Sequence, residues 1–179
     1  DGFMRKVTLF IAMSLDGYIA DEKGGVDWLA GQDPAPGDGD SYSRFVEGID
    51  TVIMGWNTYH QVVTELSPDA WVYEGLESYV LTHKALPSQR GITFTDEGPE
   101  GLLRRLQARL GKGIWICGGA QVVRQLMEAG LIDEYVISVI PVLLGGGVRL
   151  FEGGFSPRPL RLVGSRSEHG IMELTYEKR

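Results

Sequence analysis

Three features of the sequence predict an α/β fold with a mostly parallel central sheet and an antiparallel carboxy-terminal edge. As far as Gly130, short apolar runs rich in Val and Ile alternate with segments of helical period, the pattern of strands joined by crossover helices. Two of those runs pass through glycine directly into a helix, at Met54-Gly55 and at Cys117-Gly118-Gly119. Beyond Leu131 the apolar segments follow one another with no helix between them, so they are expected to pair antiparallel. The chain has 179 residues, a length that suits one domain and buries about 70% of the surface the unfolded chain exposes. That domain is taken as residues 4–179, with Asp1-Gly2-Phe3 read as an appended remnant ahead of Met4.

The elements follow in order. Val7 to Met13 is a nearly continuous apolar run and predicts a central strand covered on both faces. Gly24-Gly25 and the stretch Gly31 to Gly39 gather Gly, Pro and Asp, which is loop chemistry. Ser41 to Glu47 suits a short helix, and Asp50 to Met54 a second buried strand ended by Gly55. Asn57 to Leu66 reads as a helix capped by Asn57 or Thr58. Tyr79 to Thr82 and Ile92 to Phe94 read as two further strands. Pro99 to Leu110 places Leu102, Leu103, Leu106 and Leu110 on one helical face, and Gly111 stops it. Ile114 to Cys117 is a buried strand, followed by a helix from Ala120 to Ala129 that ends at Gly130. Glu134 to Val142, Arg161 to Ser165 and Met172 to Glu177 are the closing strands.

Composition narrows the function. Lys plus Arg number 17 against 24 Asp plus Glu, a net charge of −7. That sign argues against a nucleic-acid partner, whose affinity comes mainly from cations meeting phosphates. The longest apolar run, Tyr135 to Leu144, carries Pro141 and falls short of the roughly 18 residues a membrane helix needs. The lone Cys117 excludes a disulfide framework and a multi-cysteine zinc site and fits a reducing cytosol. A soluble, cytoplasmic protein is expected. His60, His83 and His169 lack ligand spacing, so no metal site is expected. No phosphate-loop lysine motif, G-x-G-x-x-G after a strand, zinc-protease helix or nucleophile elbow occurs.

What remains is the pair of glycine-bearing strand ends, Met54-Gly55-Trp56-Asn57-Thr58 and Ile116-Cys117-Gly118-Gly119-Ala120. Small residues there let a phosphate approach the first amides of the following helix. Tight connections alone explain either turn; two of them beyond the carboxyl ends of parallel strands also suit one shared ligand site.

The run Phe10 to Ala20, then Asp27-Trp28-Leu29, then Asp50 to Tyr59, resembles the dihydrofolate reductase superfamily. Ile116 to Ala120, Leu131 to Tyr135 and Ile140 to Gly147 complete, in order, the pattern of its branch similar to the reductase domain of bacterial riboflavin biosynthesis. The resemblance covers nearly the whole chain from Met4. It implies a dihydrofolate-reductase-like three-layer α/β/α fold, NADPH as hydride donor, and a homodimer. Ala12 matches the residue whose backbone faces the nicotinamide, and Asp16-Gly17 begin the loop over that ring. Gly55, Trp56, Asn57 and Thr58 match the turn that receives cofactor phosphates, with Thr58 as hydroxyl donor; Thr82 and His83 match the strand end on the adenosine side. Gly118, Gly119, Ala120, Gln121 and Val122 match the helix start that holds the pyrophosphate.

Two departures from the family stand out. Position 56 is Trp, where the family usually has an Arg that contacts the 2′-phosphate; an indole cannot pair with phosphate as a guanidinium does. NADH is therefore an alternative donor, and His83, Lys84 and Arg90 are the nearby cations that can compensate. The segment between Trp28 and Phe45 is long and rich in Gly and Pro, so the helix carboxylate of dihydrofolate reductases has no secure counterpart. Asp40 is nearest by spacing, with Asp38 and Asp33 as competitors. Ser138 falls where the family has a hydroxyl behind the acid, Trp28 is a candidate wall of the substrate pocket, and Gly145-Gly146-Gly147 either borders the nicotinamide or turns a strand. The resemblance implies an NAD(P)H-dependent oxidoreductase acting on a small pterin- or aminopyrimidine-like heterocycle. The rival readings are reduction of another small carbonyl or imine, and a nucleotide-binding or sensory protein without turnover.

Overall fold

The computed structural model describes residues 5–32 and 40–179. Strand β1 (Val7–Ser14) leads through a short turn into β2 (Tyr18–Ala20). Helix α1 (Asp40–Glu47) precedes β3 (Ile49–Gly55), which passes into α2 (Trp56–Gln61) and a π-helical turn (Val62–Leu66). Then come β4 (Glu77–Leu81), β5 (Ile92–Thr95), α3 (Pro99–Gln107), β6 (Gly113–Gly118) and α4 (Ala120–Glu128). The chain closes with β7 (Glu134–Ile140), β8 (Val148–Arg149), β9 (Leu160–Glu168) and β10 (Ile171–Lys178).

Eight strands form one sheet in the order β5-β4-β3-β6-β1-β7-β10-β9. All pairs from β5 to β7 are parallel, and β10 is antiparallel to both β7 and β9. Alternation along β1 sends Val7 and Leu9 to one face and Phe10 to the other. On the first face they meet Leu102, Leu103 and Leu106 of α3 and Val123 and Leu126 of α4. On the second, Phe10 stacks on Phe45 of α1 at 4.2 Å, and Tyr59 of α2 packs with Val52 and Met54. Helices on both faces of one sheet give the three-layer architecture. Arg5 locks the start of β1 in the centre: its guanidinium donates to Asp50 Oδ1 (2.5 Å), Thr51 Oγ1 (2.6 Å) and the Lys112 carbonyl (2.7 Å).

Several sequence expectations are corrected. The cap of α2 is Gly55, with no side-chain capping bond, and neither Asn57 nor Thr58 serves; the strand runs without a loop into the helix, so both residues are already helical. Helix α3 ends at Gln107, so Leu110 lies beyond it and is 99% exposed. Strand β7 is interior, flanked by β1 and β10; the two edges of the main sheet are β5 and β9, and only β9 lies on the antiparallel side. The two-stranded β2–β8 sheet had no signal in sequence, because three- and two-residue strands carry no period to read.

Candidate functional site

The parallel strands β3, β6 and β1 end side by side, and their carboxyl ends open on a cavity of about 750 Å3. Ile11 and Ala12 of β1, Gly55 of β3, and Cys117 and Gly118 of β6 line it. Such crevices at the carboxyl edge are where open α/β sheets bind ligands.

One wall is the start of α4. Gly118 has φ +137°, a conformation that disfavours any side chain, and the Gly118–Gly119 peptide is cis. Gly119 is the N-cap, with no side chain closing the helix end. The amides of Ala120, Gln121 and Val122 thus begin the helix as orphan donors beside the cavity that these residues line. A Cβ at Gly119 would stand 3.7 Å from Thr58 Oγ1, so the Thr58 hydroxyl sits at the same turn. A Cβ at Gly55 would lie 3.5 Å from Val122 Cγ2, ordinary contact distance.

The adjoining wall is built by α2. Trp56, Asn57, Thr58 and His60 line the cavity. The Trp56 ring lies 5.6 Å from His60 at an interplanar angle of 24°, and the Lys84 ammonium stands 5.2 Å from the indole centroid. Across the opening, β2 and β8 pair through Tyr18↔Arg149 and Ala20↔Val148, and Ile19, Ala20, Val148, Arg149 and Leu150 face the cavity. Asp16 ties the turn between β1 and β2 to the loop that leads from β7 into β8. Its carboxylate accepts the Ser14 hydroxyl (2.6 Å) and the backbone N–H groups of Leu144 (3.1 Å) and Gly145 (2.8 Å). Those bonds, the Ser14 one foremost, lower its pKa to about 2.

Part of the lining is uncharged, formed by an aromatic ring and a thiol. Tyr73 and Cys117 both line the cavity, with the phenol oxygen 3.7 Å from the thiol sulfur. Burial pushes the Cys117 thiol up to about 11 and raises Tyr73 as well, so both keep their protons at neutral pH. Ala12, Ser138 and Glu173 are register partners across β1, β7 and β10, and the Ser41 hydroxyl of α1 donates to Glu173.

Of the residues singled out in sequence, Ala12, Gly55, Trp56, Asn57, Thr58, Gly118, Gly119, Ala120, Gln121 and Val122 meet around this one cavity. Others stand away from its lining. Gly17 (φ +92°) turns the chain after β1, and its carbonyl accepts the Leu150 N–H at 3.0 Å. Thr82 directly follows β4, with its hydroxyl accepting the Lys84 N–H at 3.1 Å; His83 is exposed beside it. Trp28 is half-buried and donates Nε1–H to the Gly25 carbonyl at 3.0 Å, inside its own loop, while Val26 and Leu29 reach the cavity instead. Ser138 lies one strand beyond Ala12. Asp40 begins α1; Asp33 and Asp38, with most of the Gly31–Gly39 loop, lie outside the described residues. Tyr73, Ile19, Arg149 and Leu150 are wall residues that sequence reasoning missed. They come from irregular segments or the tiny β2–β8 sheet, where only proximity in three dimensions selects them. Among the described residues no cluster of three or more metal-ligating side chains occurs.

Comparison with known proteins agrees with this architecture. The chain is 41% identical over 174 residues to the uncharacterized protein YwjB of Bacillus subtilis (strain 168), covering 96% of this chain and 97% of that one. It is 28% identical over 184 residues to the uncharacterized protein YyaP of the same organism, covering 96% and 94%. A crystal structure from Shewanella sp. PV-4, provisionally named for riboflavin biosynthesis, superposes with a TM-score of 0.83 at 30% identity, covering 97% of this chain and 99% of that one. The diaminohydroxyphosphoribosylaminopyrimidine deaminase/5-amino-6-(5-phosphoribosylamino)uracil reductase of Thermotoga maritima shares the fold, with a TM-score of 0.74 at 18% identity; 98% of this chain covers 57% of that longer one. Residues 5–170 match the RibD C-terminal domain, and the chain belongs to that family.

Proposed function

We propose that the protein is an NAD(P)H-dependent oxidoreductase that transfers hydride to a C=N or C=O bond of a small pterin- or aminopyrimidine-like heterocycle. The observation that carries this reading is the convergence of the uncapped α4 start, the Thr58 hydroxyl and the Ala12 edge of β1 on one cavity. The residues present fit a dinucleotide. Orphan amides at Ala120 to Val122 suit a pyrophosphate, the glycines leave room for it, and the volume is that of a small-molecule site.

When bound, the nicotinamide supplies the hydride. The chain's own task is placement. The α4 amides and Thr58 anchor the phosphates, Ala12 and Ile19 border the ring site, and Tyr73 and Cys117 present neutral donors to a flat substrate. Asp40, at the head of α1, and Glu173, held by Ser41, are the two acids proposed for the substrate's proton, with Ser138 between Glu173 and Ala12. A cytoplasmic location is proposed with this function; among the described residues no helix is long and apolar enough to cross a membrane.

Gly119→Asp tests the reading. Gly119 has φ −87° and space for a Cβ, so the variant is expected to melt close to the wild type. The new carboxylate meets the phosphate position with like charge, and dinucleotide affinity should fall by about 100-fold or more. Fluorescence titration with NADPH and NADH, paired with a thermal melt, measures both. Unchanged affinity in the folded variant would take the α4 start out of the site. Tight cofactor binding by the wild type with no oxidation across a panel of heterocycles would favour a binding protein over an enzyme.

A further inference from the structure

We infer that Tyr73 selects the substrate of this cavity by donating its phenol O–H to an uncharged ring carbonyl. The site then takes a flat lactam heterocycle in preference to its amino analogue, and the inference rests on the heterocycle reading above. Tyr73 and Cys117 both line the cavity. Alternation along β1 puts Ala12 on the same face of the sheet as Phe10, the face on which Cys117 and Tyr73 pack.

Local structure aims both groups. Ile53 pairs with Ile116 and Met54 with Gly118, so Cys117 is the extra residue of a bulge in β6, a device that re-aims a side chain. Tyr73 comes from the segment between the π-helical turn and β4, where its carbonyl accepts the Leu76 N–H at 3.0 Å. Its ring stands edge-on to two indoles, Trp71 at 5.1 Å and Trp115 at 5.2 Å, with interplanar angles of 86° and 87°. Trp115 is itself fixed, donating Nε1–H to the Phe10 carbonyl at 3.0 Å. A phenol clamped in this way is ordered before any ligand arrives, which lowers the entropic cost of the contact it makes.

The hydroxyl has little to do inside the protein. Its one hydrogen-bond partner among the described residues is the Cys117 sulfur at 3.7 Å, and a thiol is a weak partner in either direction. Burial keeps the thiol proton in place, and with that S–H directed at the phenol oxygen the O–H is left for a ligand. What it meets must be an acceptor, and an uncharged one. The titratable groups that act on the Tyr73 phenol are Cys117 and Tyr42, both neutral at pH 7. The cavity's Lys and Arg side chains belong to other elements: Lys23 to the loop after β2, Arg124 to α4 and Arg149 to β8. A carboxylate or phosphate beside Tyr73 would lose hydration with no cation among those groups to meet it. A carbonyl oxygen exchanges one hydrogen bond for another. An amino group in its place brings a donor to a donor and leaves the O–H unpaired.

The experiment measures Kd by titration calorimetry for lumazine, a pteridine whose pyrimidine ring carries carbonyls, and for 2,4-diaminopteridine, in which amino groups replace them. Wild type, Tyr73→Phe and Tyr42→Phe are compared at neutral pH, with and without saturating NADP+, and each protein is melted. Phenylalanine keeps the ring between the two indoles, so Tyr73→Phe is expected to melt close to the wild type. The wild type should prefer lumazine. Tyr73→Phe should weaken lumazine about 10-fold and move 2,4-diaminopteridine less than about twofold, the loss of one donor from a site built around it. Tyr42 stands outside the lining, so Tyr42→Phe should keep the preference. Equal affinities in the wild type, or an unchanged ratio in Tyr73→Phe while both heterocycles bind, overturns the role of Tyr73 and leaves the heterocycle reading standing. A preference lost in Tyr42→Phe and kept in Tyr73→Phe overturns it in favour of Tyr42. Binding of neither heterocycle by the wild type, with or without NADP+, overturns the heterocycle reading and this inference together.

Discussion

The Asp16 carboxylate accepts the backbone N–H of Gly145 at 2.8 Å, fastening the turn after β1 to the loop after β7 across 129 positions of sequence. The same carboxylate takes the Leu144 N–H and the Ser14 hydroxyl. Its folded pKa of about 2 lies below the ordinary 3.8. A depressed pKa means that the ionised form stabilises the fold. That contribution is fully present above pH 3.8 and is lost as the pH falls toward 2. Asp16→Ala should lower the Tm at pH 7 and weaken dinucleotide binding, because the β2–β8 sheet loses its tether. Melts of both proteins between pH 7 and pH 2 should converge at the acid end. A constant Tm difference throughout would show that the carboxylate charge is irrelevant.

Gly147 is the tightest glycine of that loop. With φ +131°, a Cβ there would lie 2.1 Å from the Ala20 carbonyl oxygen. Gly147→Ala should cost about 2–4 kcal/mol through strain and displaced backbone, read as a drop in urea midpoint. Gly145→Ala, with φ +76° and nothing within 4 Å, should cost about 1 kcal/mol. Equal losses would mean that the close approach of β2 to β8 is not what Gly147 serves.

Leu106 and Leu110 make a paired test of where α3 ends. Leu106 is fully buried against the sheet, and Leu110 is 99% exposed. Leu106→Ala should destabilise by about 2–5 kcal/mol. Leu110→Ala should stay within about 0.5 kcal/mol. Chemical denaturation of the two variants settles the comparison.

The partner we expect is a second copy of the chain. Strand β9 is the antiparallel edge of the main sheet, with Leu162 and Val163 exposed by 55% and 49%, and Met172 on the neighbouring strand by 41%. An apolar edge of that kind invites pairing. Light scattering at micromolar concentration should return about 40 kDa, twice the 19.7 kDa chain. A particle of about 20 kDa would contradict the dimer.

The long strands and most of α3 and α4 were legible because their apolar periods are strong. Leu102, Leu103 and Leu106 repeat at helical spacing, and Val7, Leu9 and Ile11 form a strand run that packs with them. Periodicity failed at Leu110 because a leucine in register says nothing about a helix that has already stopped. The phosphate-side wall was legible through its glycines, since a strand passing directly into a helix leaves few other residues that fit. The wall formed by Tyr73, Arg149 and Leu150 was not. Tyr73 comes from an irregular segment and Arg149 and Leu150 from the short β8 and its end, whose approach is fixed by long-range bonds such as Asp16 to Gly145, and no local pattern encodes such a bond. Trp28 shows the reverse error: a large aromatic in the expected stretch spends its polar atom on Gly25 of its own loop.

The central place of β1 has a consequence for synthesis. Val7 pairs with Ile114 and Leu9 with Tyr135, so β1 is synthesised well before its lateral neighbours, which are encoded more than 100 residues further along the chain. Until β6 and β7 emerge, Val7 to Met13 presents an apolar ribbon with both edges open. Such distant pairing slows folding and lengthens the interval in which nascent chains can associate. Yield in a cell should therefore depend on how long that ribbon waits, through elongation rate and chaperone supply, more than on the equilibrium stability of the finished sheet.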